Sequence, residues 1–176
     1  LKRYGLIPFF TLLRKAQHAL SRAEEMSAKS GTLIERRFND LSQVKGINIQ
    51  ILTVIDLVTK DSINALYLSY VKSSTYSTDT KTAILDKDEL AGLITSLRII
   101  TNEFQSERAA YTEITFKSRS GFKAGAYFDP SPGALQKKKW IGFVRLEQFD
   151  SNSQVFLSVD DLKMFLQIVE IANQRM

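Results

Sequence analysis

The chain contains no cysteine, which excludes disulfides, thiolate metal sites and cysteine nucleophiles. Its single histidine is His18, near the N-terminus. The rest of the sequence therefore cannot build a histidine triad, a histidine zinc site or most general acid–base schemes. No apolar run approaches the roughly 20 residues of a membrane-spanning helix. Charge of one sign is also scarce once the N-terminus is set aside. Residues 1–29 hold six basic residues (Lys2, Arg3, Arg14, Lys15, Arg22, Lys29) against Glu24 and Glu25, whereas residues 30–176 hold 18 basic and 17 acidic residues. A body so balanced has no global attraction for phosphates, so any anion-binding surface must be a local patch.

What is present is an internal duplication. Ala83–Leu97 reads A-I-L-D-K-D-E-L-A-G-L-I-T-S-L, and Val155–Val169 reads V-F-L-S-V-D-D-L-K-M-F-L-Q-I-V. Ile84 aligns with Phe156, Asp86 with Ser158, Glu89 with Asp161, Leu90 with Leu162, Leu93 with Phe165, Ile94 with Leu166 and Leu97 with Val169. A constant offset over that many positions marks a repeat. Each copy reads as a strand end running into a helix, with Asp86 or Ser158 as N-cap and Glu89 or Asp161 at the capping-box position. Leu90, Leu93, Ile94 and Leu97 then share one helical face, as do Leu162, Phe165, Leu166 and Val169. Asp86, Asp88 and Glu89 form an acidic cluster that a metal could use, but capping accounts for it better.

Strand patterns precede both helices. In the first half they run over Thr32–Phe38, over Ile47–Leu57 with Asn48, Gln50 and Asp56 on the opposite face, over Ile63–Val71, and briefly into Leu85. The Ser/Thr tract Ser73–Thr80 reads as a loop. The second half gives Tyr111–Lys117, a tight turn at Ser118–Gly121, Phe122–Phe128, Lys139–Glu147 and Gln154–Leu157, with Asp129–Ala134 a loop because of its prolines and glycine. The fold expected is α+β: an internally duplicated ββββα-ββββα, two antiparallel sheets each followed by a helix. Neither half buries much core alone, so residues 30–176 should form one pseudo-symmetric domain of two repeats, 30–104 and 108–176.

Residues 1–29 admit three readings. Lys2 and Arg3 before the apolar run Leu6–Leu13, with Ala19-Leu20-Ser21 as a small-x-small site, fit an export signal. The absence of acids from residues 1–23 fits an organelle presequence. Leu12, Ala16, Leu20 and Ala23 fit one side of an amphipathic helix.

One basic patch stands out. Lys117, Arg119, Lys123, Lys137, Lys138, Lys139 and Arg145 have only Glu113 and Asp129 nearby in sequence. Lys123, Gly125 and Tyr127 share one side of their strand, and Lys139, Phe143 and Arg145 one side of theirs. Bases stack on rings while cations hold the backbone, so Lys117, Arg119, Lys123, Tyr127, Lys139, Phe143 and Arg145 are candidate ligand- or nucleic-acid-binding residues. The competing reading is that the lysines solubilise sheet edges and guard them against strand pairing, with Trp140 and Phe143 in the core on opposite faces. No catalytic residue, metal site or cofactor motif emerges: Tyr67, Tyr70, Tyr76 and Tyr111 are scattered, and S-G-F-K lacks the spacing of a phosphate loop.

Two resemblances follow. The ββββα-ββββα order is similar to that of the whirly and PUR-repeat proteins, which bind single-stranded nucleic acid on their sheets; no whirly lysine motif is present. Lys45–Leu52 (K-G-I-N-I-Q-I-L), Ser77–Lys81, Leu85–Ile94 (L-D-K-D-E-L-A-G-L-I) and Tyr111–Gly125 resemble uncharacterised exported proteins of Bacteroidetes bacteria. That resemblance covers about residues 30–176 and implies a small exported protein, periplasmic or at the cell surface, with organelle or cytoplasm as alternatives. The expected function is a non-catalytic binding module for a protein or polymer ligand. A single-strand nucleic-acid binder stands second and a carboxylate-only hydrolase third. A homo-oligomer is compatible with pseudo-symmetric sheets that have exposed edges.

Overall fold

The computed structural model describes residues 19–73, 75, 77–131 and 139–176. His18, Tyr76, Lys137, Lys138 and the apolar run Leu6–Leu13 lie outside the described residues. The elements run α1 (Arg22–Ser27), β1 (Ile34–Val44), β2 (Ile47–Asp56), β3 (Ser62–Ser73), β4 (Thr78–Asp86), α2 (Lys87–Glu103), β5 (Thr112–Lys117), β6 (Lys123–Asp129), β7 (Lys139–Arg145), β8 (Gln154–Leu157) and α3 (Val159–Arg175). Sheet A has the order β1-β2-β3-β4 and sheet B β5-β6-β7-β8, all neighbours antiparallel. The architecture is α+β with the ββββα unit used twice. No helix of the described residues is long and apolar enough to cross a membrane.

Local chemistry explains most boundaries. Lys45 and Gly46 both take positive φ, 48° and 82°, and close β1 onto β2 in a two-residue turn whose twist matches the strands. This turn carries β1 well past Phe38, with a bulge between Asp40 and Ser42 that obscures the alternation in the sequence. The Ser/Thr tract is partly strand: Lys72 pairs with Asp79 and Ser73 with Thr78, because ladder hydrogen bonds need no apolar side chain. Both helices open as the repeat predicts. Glu89 Oε2 accepts from the Asp86 N–H at 3.1 Å, and Ser158 and Asp161 exchange the reciprocal pair at 2.9 and 3.2 Å.

One continuous core spans both repeats. Leu66, Leu68 and Leu85 of sheet A, Leu90, Leu93 and Leu97 of α2, Phe122 and Phe128 of the second repeat, and Leu162, Phe165 and Val169 of α3 belong to a single buried cluster. The helices meet across the pseudo-two-fold through equivalent positions, Arg98 and Glu170, at 2.6 Å. The first hairpin turn of each repeat also reaches the helix of the other repeat. Arg119 in the β5–β6 turn lies at the start of α2, and Lys45 in the β1–β2 turn lies 3.7 Å from Asp161 at the start of α3. Lys81 of β4 adds a further tie, 2.6 Å from Asp150 in the β7–β8 connection. The carboxylates of Asp150, Asp79 and Glu147 push its ammonium pKa upward.

The outer face of sheet A departs from the half-buried strand expected for Ile47–Leu57. Ile47, Ile49 and Ile51 face the core, yet Leu52 and Val54 on the opposite side are buried too. Helix α1 covers them: Ala23 is 0% exposed and, with Met26, packs on Leu52, Val54, Ala65, Ile63, Tyr67 and Ile84. The body thus includes residues 21–27, which sequence reading had grouped with the N-terminal segment. Ser21, within the small-x-small site, is the buried N-cap of this helix.

Candidate functional site

Sheet B has an inner face turned to the helices and an outer face with no described element packed over it. Its register decides which residues share that outer face. Lys117 pairs with Lys123, and Lys123 with Arg145, which pairs with Gln154. The next row is Thr115, Gly125, Phe143 and Phe156; beyond it lie Glu113, Tyr127 and Ile141, then Asp129 and Lys139. Side chains alternate across a strand and directly opposed residues point the same way. Lys117, Lys123, Tyr127, Lys139, Phe143 and Arg145 therefore occupy one face, joining two strand sides that the sequence could only treat separately.

Arg119 is the exception. Its Nη1 lies 2.5 Å from Asp86 Oδ2, its Nη2 lies 3.0 Å from Asp88 Oδ2, and its backbone N–H donates to Glu89 Oε1 at 2.6 Å. The acidic cluster at the α2 N-terminus is thereby filled by an arginine, with the Arg22 guanidinium also 3.0 Å from Asp88. Asp86 further accepts the first α1 amides, Arg22 N–H at 2.7 Å and Ala23 N–H at 3.2 Å. Arg119 is thus a clasp between the repeats.

The middle of the outer face is aromatic. Tyr111 and Tyr127 stack at 6.2 Å between centroids with 29° between planes, and Tyr127 meets Phe143 at 6.4 Å. Phe143 is only 5% exposed, whereas Tyr111 and Phe156 are 60% and 57% exposed. Gly125 lets the Phe143 ring lie against the sheet, since a Cβ there would sit 3.0 Å from Phe143 Cζ and 2.4 Å from the Ile114 carbonyl oxygen. Trp140 and Phe143 are both buried and on opposite faces; Trp140 donates from Nε1 to the Ser106 carbonyl at 2.7 Å.

Charge on this face is uneven. Among the described residues no acid lies within ion-pair distance of Lys117, Lys123, Lys139 or Arg145, while Arg145 donates to Gln154 Oε1 from Nε and Nη2 at 3.0 and 2.5 Å. Glu113 accepts from Thr115 at 2.9 Å and Asp129 from the Ser131 N–H at 2.9 Å. The result is a cationic row on one side of an aromatic centre, with Lys139 at the other end. Beside Lys139, Ile141 and Phe156 an open groove of about 640 Å³ runs past Lys45 and Asp161.

Sequence reading missed three members of the face: Tyr111, Ile141 and Phe156. Phe156 carried a signal, since it alternates with buried Val155 and Leu157 in a four-residue strand and so must point away from them. Ile141 falls between Lys139 and Phe143 on the same side of β7, and Tyr111, just before β5, is placed by its stacking on Tyr127. No family model, no curated protein and no solved structure matches the chain.

Proposed function

We propose that the chain is a non-catalytic binding module whose ligand sits on the outer face of sheet B. What supports this is the gathering of six sequence-selected residues, together with exposed Tyr111 and Phe156, on one face that no described element covers. Exposed aromatic surface rimmed by polar and charged groups marks an interaction site. The resemblance of residues 30–176 to exported bacterial proteins favours a location outside the cytoplasm.

The test is backbone NMR shift mapping on the full chain with three probes: oligo-dT, heparin and a stapled acidic amphipathic peptide. Saturable shifts at Tyr127, Ile141 and Phe156 with at least one probe are expected. If all three leave these amides unmoved, the assignment of this face as a binding surface fails.

A second reading, single-stranded nucleic acid, is favoured by the cross-strand row Lys117–Lys123–Arg145 beside rings. It requires oligo-dT binding that weakens steeply between about 50 and about 200 mM salt and is lost in Lys123→Ala/Arg145→Ala. Absence of binding at low salt removes it.

A further inference from the structure

The two repeats differ in what lies on their outer faces, and the difference names a ligand class. Strand pairing aligns them residue by residue. Leu66–Leu85 in sheet A matches Gly142–Leu157 in sheet B, so Tyr67 corresponds to Phe143, Ala65 to Ile141, Ile84 to Phe156 and Leu52 to Tyr127. In sheet A these positions form the seat of α1, filled by Ala23 and Met26. In sheet B the same positions are the aromatic centre of the open face. The duplicated scaffold thus carries one seat occupied from within the chain and one left open among the described residues.

Resting on the binding-module reading, we infer that the open seat receives a short amphipathic helix of another protein, laid across sheet B as α1 lies across sheet A. Its apolar side consists of small or unbranched residues like Ala23 and Met26. Its flanks are acidic. Charge sets that last requirement: Ile63, which packs with α1, corresponds to Lys139 of sheet B, and Asn48 and Ser69 farther along the same face correspond to Lys123 and Arg145. Asp86, which accepts the first two α1 amides, is replaced by Ser158, so the open seat lacks that acceptor, while Asp88, which pairs with the Arg22 guanidinium, is matched by Asp160. Residues 1–18 of this chain, with Lys2, Arg3, Arg14 and Lys15 and no acid, have the wrong sign for the face.

Ring geometry favours side chains over bases as the occupant. Phe143 is buried, and Tyr111 and Tyr127 already spend a face on each other. Base stacking requires open ring faces, whereas apolar side chains pack against ring edges and Ile141 equally well.

The experiment uses the full labelled chain and a stapled peptide of residues 19–29 carrying Arg22→Gln and Lys29→Gln, so that Glu24 and Glu25 are its only charged side chains. Shifts at Tyr127, Ile141 and Phe156 are expected, weakened about tenfold in a Phe156→Asp chain and by a Glu25→Lys peptide. Phe156 is largely exposed, so that variant folds, and unchanged shifts elsewhere verify it. No movement at these amides, movement only at the α1 seat of sheet A, or indifference to both substitutions overturns the inference. Should oligo-dT move them while the peptide does not, the binding face stands and its helical ligand falls; should neither do so, both readings fall.

Discussion

Asp86 and Ser158 occupy equivalent positions at the starts of α2 and α3, and replacing each by alanine should have very different consequences. Ser158 caps its own helix and exchanges hydrogen bonds with Asp161, so Ser158→Ala removes one N-cap, worth about 1 kcal/mol. Asp86 is buried and holds three distant parts together: the first amides of α1, the Arg119 guanidinium of the β5–β6 turn, and the start of α2. Asp86→Ala leaves the buried Ala23 N–H without its acceptor and the Arg119 guanidinium with Asp88 alone. A lost acceptor costs about 1–3 kcal/mol and a lost charged hydrogen bond about 1.5–3 kcal/mol. Partial exposure of Arg119 discounts the sum, and about 3 kcal/mol is expected. In a chain of this size that lowers the melting temperature by about 6–12 °C, against about 2–4 °C for Ser158→Ala. Thermal and urea unfolding of the two variants measure the difference, and amide exchange locates it. Exchange at Arg22, Ala23 and Arg119 should rise in Asp86→Ala and stay unchanged in Ser158→Ala. Equal destabilisation of the two variants, or protected α1 amides in Asp86→Ala, would refute the clasp.

Other consequences are measurable. The Asp56 carboxylate, buried at the β2–β3 turn, accepts from Lys29 Nζ at 2.7 Å, Thr32 Oγ1 at 2.5 Å and the Val58 and Thr59 amides, and these bonds, led by Lys29, hold its pKa well below the usual carboxylate range. A depressed folded value contributes stability that is present above the unfolded pKa and is lost as pH falls, so stability should decline below about pH 5. Asp56→Asn should flatten that decline in acid unfolding titrations, and parallel curves would sink the idea. Gly142→Ala should cost about 2 kcal/mol, because its Cβ would lie 2.6 Å from Leu162 Cδ1 and 2.7 Å from the Leu157 carbonyl oxygen; a melting temperature equal to that of the unsubstituted chain would show the site can relax. Tyr111→Ser should lower stability by under about 1 kcal/mol, since its ring is exposed, and yet weaken ligand binding to sheet B; a large loss of stability would assign Tyr111 a structural role instead.

The sequence by itself determined what depends on near neighbours. Capping chemistry at Ser158 and Asp161, helical spacing of Leu90, Leu93 and Leu97, and alternation in Tyr111–Lys117 are local, and the constant offset between the copies exposed the duplication. Two antiparallel sheets, each followed by a helix, were legible on those grounds. Only the tertiary structure decided which distant parts meet. Arg119 looks like one more cation of a basic patch until the β5–β6 turn is laid against the α2 N-terminus, where three carboxylates claim it. Leu52 and Val54 look like departures from alternation until α1 is placed over them. Tyr127, Ile141 and Phe156 become one face only through strand register, a pairing of backbones that side-chain pattern specifies weakly when both faces carry apolar residues.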